Sequence, residues 1–101
     1  MNLLQRYLPN FSGHIKSFIH DDLKNTFEII FYDRPEDFNP VIKLVFSSVV
    51  DYKCEQHGNL ENDFIDLAIG FDLNQNGYLL WTDIWEITFK ASEVQKYDIN
   101  T

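Results

Sequence analysis

Lysine and arginine are missing from more than a third of this chain: residues 54–89 pass without either. Cysteine is almost missing too. A lone Cys54 forms no internal disulfide, which favours a reducing compartment over secretion. With only four glycines there is little room for a phosphate-cradling loop, and no zinc-ligand spacing or serine elbow occurs. No run approaches the roughly 18 apolar residues that a bilayer-spanning helix requires. Residues 1–9 lack the basic start and apolar stretch of a signal peptide. A cytoplasmic protein is therefore expected, with no membrane contact and no cofactor.

What the chain does contain is apolar and aromatic bulk. Hydrophobic residues make up 45% and aromatics 16%, which excludes a disordered chain. A length of 101 residues fits one domain, 1–101, large enough to fold around one core without metal or disulfide staples. Charge is lopsided. Residues 1–50 carry six acids and five bases, whereas residues 51–101 carry ten acids and three bases. Seven of those acids fall in the lysine- and arginine-free stretch: Glu55, Glu61, Asp63, Asp66, Asp72, Asp83 and Glu86. A one-sided negative field repels nucleic acid and anionic lipid and attracts cationic partners.

Periodicity points to strands. Leu3, Leu4, Tyr7 and Leu8 suggest a short N-terminal helix that Pro9 stops. Beyond it the period becomes two, in residues 14–20 and then in 26–32, where Phe27, Ile29 and Phe31 share a face. Residues 33–40, with two prolines, make the main loop. Residues 41–54 form the longest apolar-rich run, with a bulge or bend expected at Ser47-Ser48. Ile65, Leu67, Ile69, Phe71 and Leu73 alternate with Asp66, Ala68, Gly70, Asp72 and Asn74. Asn74-Gln75-Asn76-Gly77 then turns the chain into a short return strand at 78–81. A further strand covers 84–91, and Val94, Tyr97 and Ile99 offer one edge strand in an otherwise fraying tail. The expected fold is mainly β, with α+β as the alternative: an antiparallel meander of five to six strands curled into a half-barrel or small sandwich.

Three constellations invite a chemical reading. Residues 72–83 resemble an EF-hand calcium loop, with Asp72, Asn74 and Asn76 at alternate ligand positions, Gly77 at the turn and Asp83 closing. The closing residue should be a glutamate and the flanks should be helices. Here it is an aspartate between strand-like flanks, so a hairpin turn is the better reading, with a calcium- or ligand-binding β-domain as the alternative. His14 and His20, six apart, would share one face of a strand and could serve as an acid–base pair. Few cations lie nearby to hold a phosphate, and surface histidines are the simpler reading. Cys54, with Asp51 and His57 three residues to either side, would place its partners on the opposite strand face. No catalytic function is expected.

Tyr78, Trp81 and Trp85 lie among Asp83 and Glu86, and rings beside acids suit a surface that docks a cationic protein. Trp85 alternates with Glu86 and should face the core, leaving Tyr78 and Trp81 as the exposed anchors. The run Leu44-Val45-Phe46-Ser47-Ser48-Val49-Val50-Asp51-Tyr52 and the later Trp85-Glu86-Ile87-Thr88-Phe89-Lys90-Ala91-Ser92, in a small acidic β-rich chain, resemble bacterial toxin immunity proteins. Those of contact-dependent growth inhibition and related polymorphic toxins are nearest in kind. The resemblance implies an inhibitor that covers the active site of a cationic, nuclease-type toxin. Glu61, Asp63, Asp66, Asp72, Asp83 and Glu86 would then supply charge, and Tyr78 and Trp81 anchorage.

Overall fold

Phe27, Ile29 and Phe31 alternate with polar or half-buried neighbours, and a pleated strand sends alternate side chains to opposite faces. All three are at most 1% exposed in strand β2 (Thr26–Tyr32). Each such burial is worth about 1.5–3 kcal/mol. A one-residue slip would turn the whole set into water, so this face fixes the register of its neighbours.

The computed structural model describes residues 3–7, 14–32, 40–58 and 66–98. Within them lie β1 (His14–Asp21), β2, β3 (Pro40–Ser47), β4 (Val50–Gln56), β5 (Asp66–Asn74), β6 (Gly77–Thr82), β7 (Trp85–Lys90) and β8 (Glu93–Asp98). They form one antiparallel sheet in the order β4-β7-β6-β5-β1-β2-β3-β8. A single helical turn, α1 (Leu3–Tyr7), precedes them and buries Leu3 in the core. Five residues are far fewer than an autonomous helix needs, so the fold is β and not α+β. Among the described residues no helix is long and apolar enough to cross a membrane.

The sheet folds back on itself. Its two halves, β4-β7-β6-β5 and β1-β2-β3-β8, meet through a brief ladder, His14 opposite Leu67 and Ile15 opposite Asp66. Across the interior, Phe27 and Phe46 lie 5.0 and 4.9 Å from Phe89, and Phe18 meets Trp85 edge-on at 5.9 Å. Opposite the β1–β5 seam, one ribbon passes from half to half. The pairing of Ser47 with Glu93 in β3–β8 continues in step into that of Val50 with Lys90 in β4–β7. The bend between them is built by Ser48 in the left-handed region (φ 55°) and is tied down by two hydrogen bonds, the Val49 amide donating to the Asn25 carbonyl (2.8 Å) and the Ser92 amide to the Ser47 carbonyl (3.1 Å).

That bend accounts for eight strands where the sequence suggests five or six. The run 41–54 is cut in two at Ser48, where expected, because a left-handed residue breaks the ladder. The tail contributes β8, held by six residue pairs to β3. Nor is the order that of a meander, since β4 pairs with β7 and β5 with β1. One facing also differs from the simple alternation. In β5, Ile69 and Leu73 are 51% and 46% exposed, while Ala68 and Phe71 are buried. A bulge between Ala68 and Gly70 inserts Ile69 as an extra residue, so that Ala68 and Phe71 both face in; Leu73 keeps the phase of Phe71 and is exposed near the hairpin end of the strand.

Candidate functional site

The outer face of β4-β7-β6-β5 is a grid set by strand register. One row runs across four strands: Gly70, Trp81, Glu86, Glu55. The adjacent row reads Asp72, Leu79, Thr88, Lys53. On β6 and β7 the residues that alternate with these positions, Leu80, Ile87 and Phe89, are buried, so the grid side chains stand outward.

Trp81 owes its place to Gly70. A Cβ on Gly70 would come within 2.0 Å of the indole Cζ2, so the ring occupies the space where a side chain would stand. The same indole forms a wall of a groove of about 480 Å³, lined also by Glu55, Gln56, His57, Leu79 and Glu86. The amides of His57 and Gly58 both donate to the Ile84 carbonyl (2.7 and 3.1 Å), which fastens the end of β4 to the start of β7 and places His57 at the groove rim. At the start of β7, Thr82 Oγ1 accepts from the amides of Ile84 and Trp85 (3.1 and 2.8 Å), which shapes the tight turn into β7.

Electrostatically the groove is unbalanced. Glu55 and Glu86 are direct cross-strand partners, and like charges placed so are destabilising. Lys53 Nζ lies 2.9 Å from Glu55 Oε1. The Lys53 ammonium is held above the usual lysine range, first by its hydrogen bond and charge attraction to Glu55 and then by the charge of Glu86. A cation is therefore favoured at this spot, and the chain supplies one of its own.

Of the residues expected to dock a partner, Asp72, Trp81 and Glu86 come together on this face. Glu61 and Asp63 lie outside the described residues. Asp83 is exposed in the β6–β7 turn, where its amide donates to the Leu67 carbonyl (3.1 Å). Tyr78 corrects the expectation of exposure: it faces inward, stacked on Phe89 at 5.2 Å and edge-on to Phe46 at 5.0 Å. Its place one residue after the hairpin puts it on the Leu80 face, not the Trp81 face. Asp66 also points in, opposite buried Ile15. Burial pushes its carboxyl up, and the charge of Asp83 adds to this. The Thr82 hydroxyl and the Leu67 and Ile84 amides draw it back toward ionisation, yet neither carboxylate oxygen makes a hydrogen bond of good geometry among the described residues.

The other constellations separate in space. Asp72 pairs with Leu79 and Asn74 with Gly77, and the Asn76 amide donates to Asn74 Oδ1 (2.8 Å), so 74–77 is a hairpin turn. Asp83 lies beyond the far end of β6, about 20 Å away by strand rise. The calcium-loop residues Asp72, Asn74, Asn76 and Asp83 thus do not converge. His14 and His20 are parted by a bulge between Ile15 and Ser17, which sends them to opposite faces, and His20 stacks on Tyr52 at 3.9 Å. Cys54 is half-buried and its thiol is pushed up by burial, away from the thiolate a nucleophile needs.

Sequence reading missed Gly70, Leu79, Lys53 and Glu55. The alternation Lys53-Cys54-Glu55 marks two of them as outward, but their neighbours depend on β4 pairing with β7, whose nearest paired residues, Gln56 and Trp85, are 29 apart in the chain, which no local pattern reveals. No family model, no curated protein and no solved structure matches the chain.

Proposed function

We propose that this chain is a small acidic protein-binding module whose outer β4-β7-β6-β5 face docks a cationic protein. The particular role that best suits it is that of an immunity protein, covering the active site of a nuclease-type toxin in the cytoplasm and acting by contact, not by chemistry. The observation that carries the reading is the row Trp81-Glu86-Glu55, an aromatic followed by two carboxylates held side by side, where like charges oppose each other. Such an arrangement is relieved when a positive surface arrives. A toxin that cleaves RNA or DNA must present such a surface to hold phosphates. Acid-driven association of this kind reaches about 10⁸ M⁻¹s⁻¹ or more at low salt and falls as salt is added.

The test is capture from source-cell lysate at low and high salt, using the native chain beside a Glu55→Lys/Glu86→Lys double variant. One basic protein should be held by the native chain, released by salt and refused by the variant. Its nucleic-acid cleavage should then be stopped by an equimolar amount of the native chain. A partner retained equally by the charge-reversed variant would refute the docking face, and one whose activity is untouched would refute inhibition.

A further inference from the structure

We infer that the groove between Trp81, Glu86 and Glu55 is a receptor for a single arginine side chain presented by the partner. This rests on the proposed docking of a cationic protein and names the group that enters first.

Shape and chemistry select the occupant. The groove offers one indole wall, an apolar lining residue in Leu79, and carboxylates from two neighbouring strands. A cation stacked on an indole is attracted by the ring, and a planar guanidinium does this while keeping its in-plane N–H groups free to reach carboxylates. Two carboxylates on adjacent strands match that fork of donors, whereas a lysine ammonium is a point charge that satisfies one at a time. A quaternary ammonium would want several aromatic walls in place of hydrogen-bond acceptors, and calcium would want six or more oxygens; the groove is lined by neither set. Lys53 marks the position of the charge, since its ammonium already sits 2.9 Å from Glu55 and is stabilised by Glu86 as well. It is also a competitor, because an incoming arginine must share Glu55 with it.

The probe is N-acetyl-arginine methylamide, titrated into the isotope-labelled full chain at low salt and followed by NMR. The two indole N–H signals are told apart by Trp81→Phe. Saturable millimolar binding is expected, with the Trp81 indole and the Glu55, Leu79 and Glu86 amides moving and the Trp85 indole still. Glu86→Gln should weaken it about tenfold by removing one charge-assisted pair. Lys53→Met should tighten it roughly threefold by removing the competitor. N-acetyl-lysine methylamide should bind several-fold more weakly. Shifts that fail to saturate, that lie elsewhere, or that are matched by the lysine probe would overturn the assignment. If the groove ignores arginine while a basic protein is still captured in a Glu55- and Glu86-dependent way, this inference falls and the docking reading stands. Saturable arginine binding without any protein partner would keep the groove as an arginine site and overturn the docking reading, and with it the claim that a protein presents the side chain.

Discussion

Gly70 and Trp81 face each other across β5 and β6, and the indole of one fills the space left by the missing side chain of the other. An aromatic laid over a cross-strand glycine covers backbone that would otherwise be bare. Here it also leaves the ring standing as a wall of the acidic groove. Gly70→Ala would put a methyl 2.0–2.4 Å from three indole atoms, so the ring must lift away. Because the clash is with a movable surface side chain and not with backbone, unfolding free energy should change by no more than about 1 kcal/mol. The Trp81 indole resonance should shift markedly, and partner binding should drop. An unmoved Trp81 signal would show that the glycine is not what seats the ring.

Glu86 is expected to oppose folding while serving binding. It stands opposite Glu55, and Lys53, two residues before Glu55 on β4, offsets part of the repulsion. Removing a like-charge cross-strand pair is worth about 0.2–1 kcal/mol. Urea unfolding of Glu86→Gln at low salt should therefore show a small gain in stability that added salt erases, alongside weaker binding of a cationic partner. A loss of stability would mean that Glu86 is held by favourable contacts and that the row is not under electrostatic strain.

Asp66 carries the clearest pH signature. Burial raises its carboxyl above the ordinary aspartate value of about 3.9. The folded state therefore keeps the proton to higher pH than the unfolded chain does. Its contribution to stability is full below the unfolded value and is lost as pH rises through the folded one. Asp66→Asn holds a neutral group at every pH, so it should be more stable than the native chain at pH 7 and lack the decline that begins near pH 4. Since Asp66 points inward, binding should be unaffected. Urea titrations from pH 3.5 to 7 decide it; parallel curves for the two proteins would remove Asp66 as the cause.

How far these features could be read from sequence depends on how local they are. Most strand positions, the 74–77 turn and the bend at Ser47-Ser48 were legible because each follows from a few adjacent residues: alternation, an asparagine–glycine pair, a break in phase; the count of eight was not, since the polar tail reads chiefly as fraying. The facing of β5 was not, because one bulged residue, Ile69, reverses every inward assignment on one side of it. The partnership of Glu55 with Glu86 was not either. It requires β4 to skip two strands in the chain and pair with β7, and such long-range register is set by burial of the whole ribbon. All seven acids of the stretch could thus be named from the sequence without any way of telling which of them meet.

Tyr78 and Trp81, three residues apart and alike in sequence, should part company when truncated. Tyr78 packs against Phe46, Phe71 and Phe89 in the interior. Large-to-small changes among such rings leave a cavity as well as losing buried area, so Tyr78→Ala should cost about 2–4 kcal/mol in unfolding free energy. Trp81 lies on the outer face and touches the core through none of these rings. Trp81→Ala should cost less than half as much, yet lower affinity for a cationic partner about tenfold or more, as loss of a central aromatic anchor does. Tyr78→Phe keeps the packing and supplies the control: near-native stability and near-native binding. Chemical unfolding and titration calorimetry on the three variants separate the roles. Equal losses of stability from the two alanine variants would place both rings in the core and leave the face without its anchor.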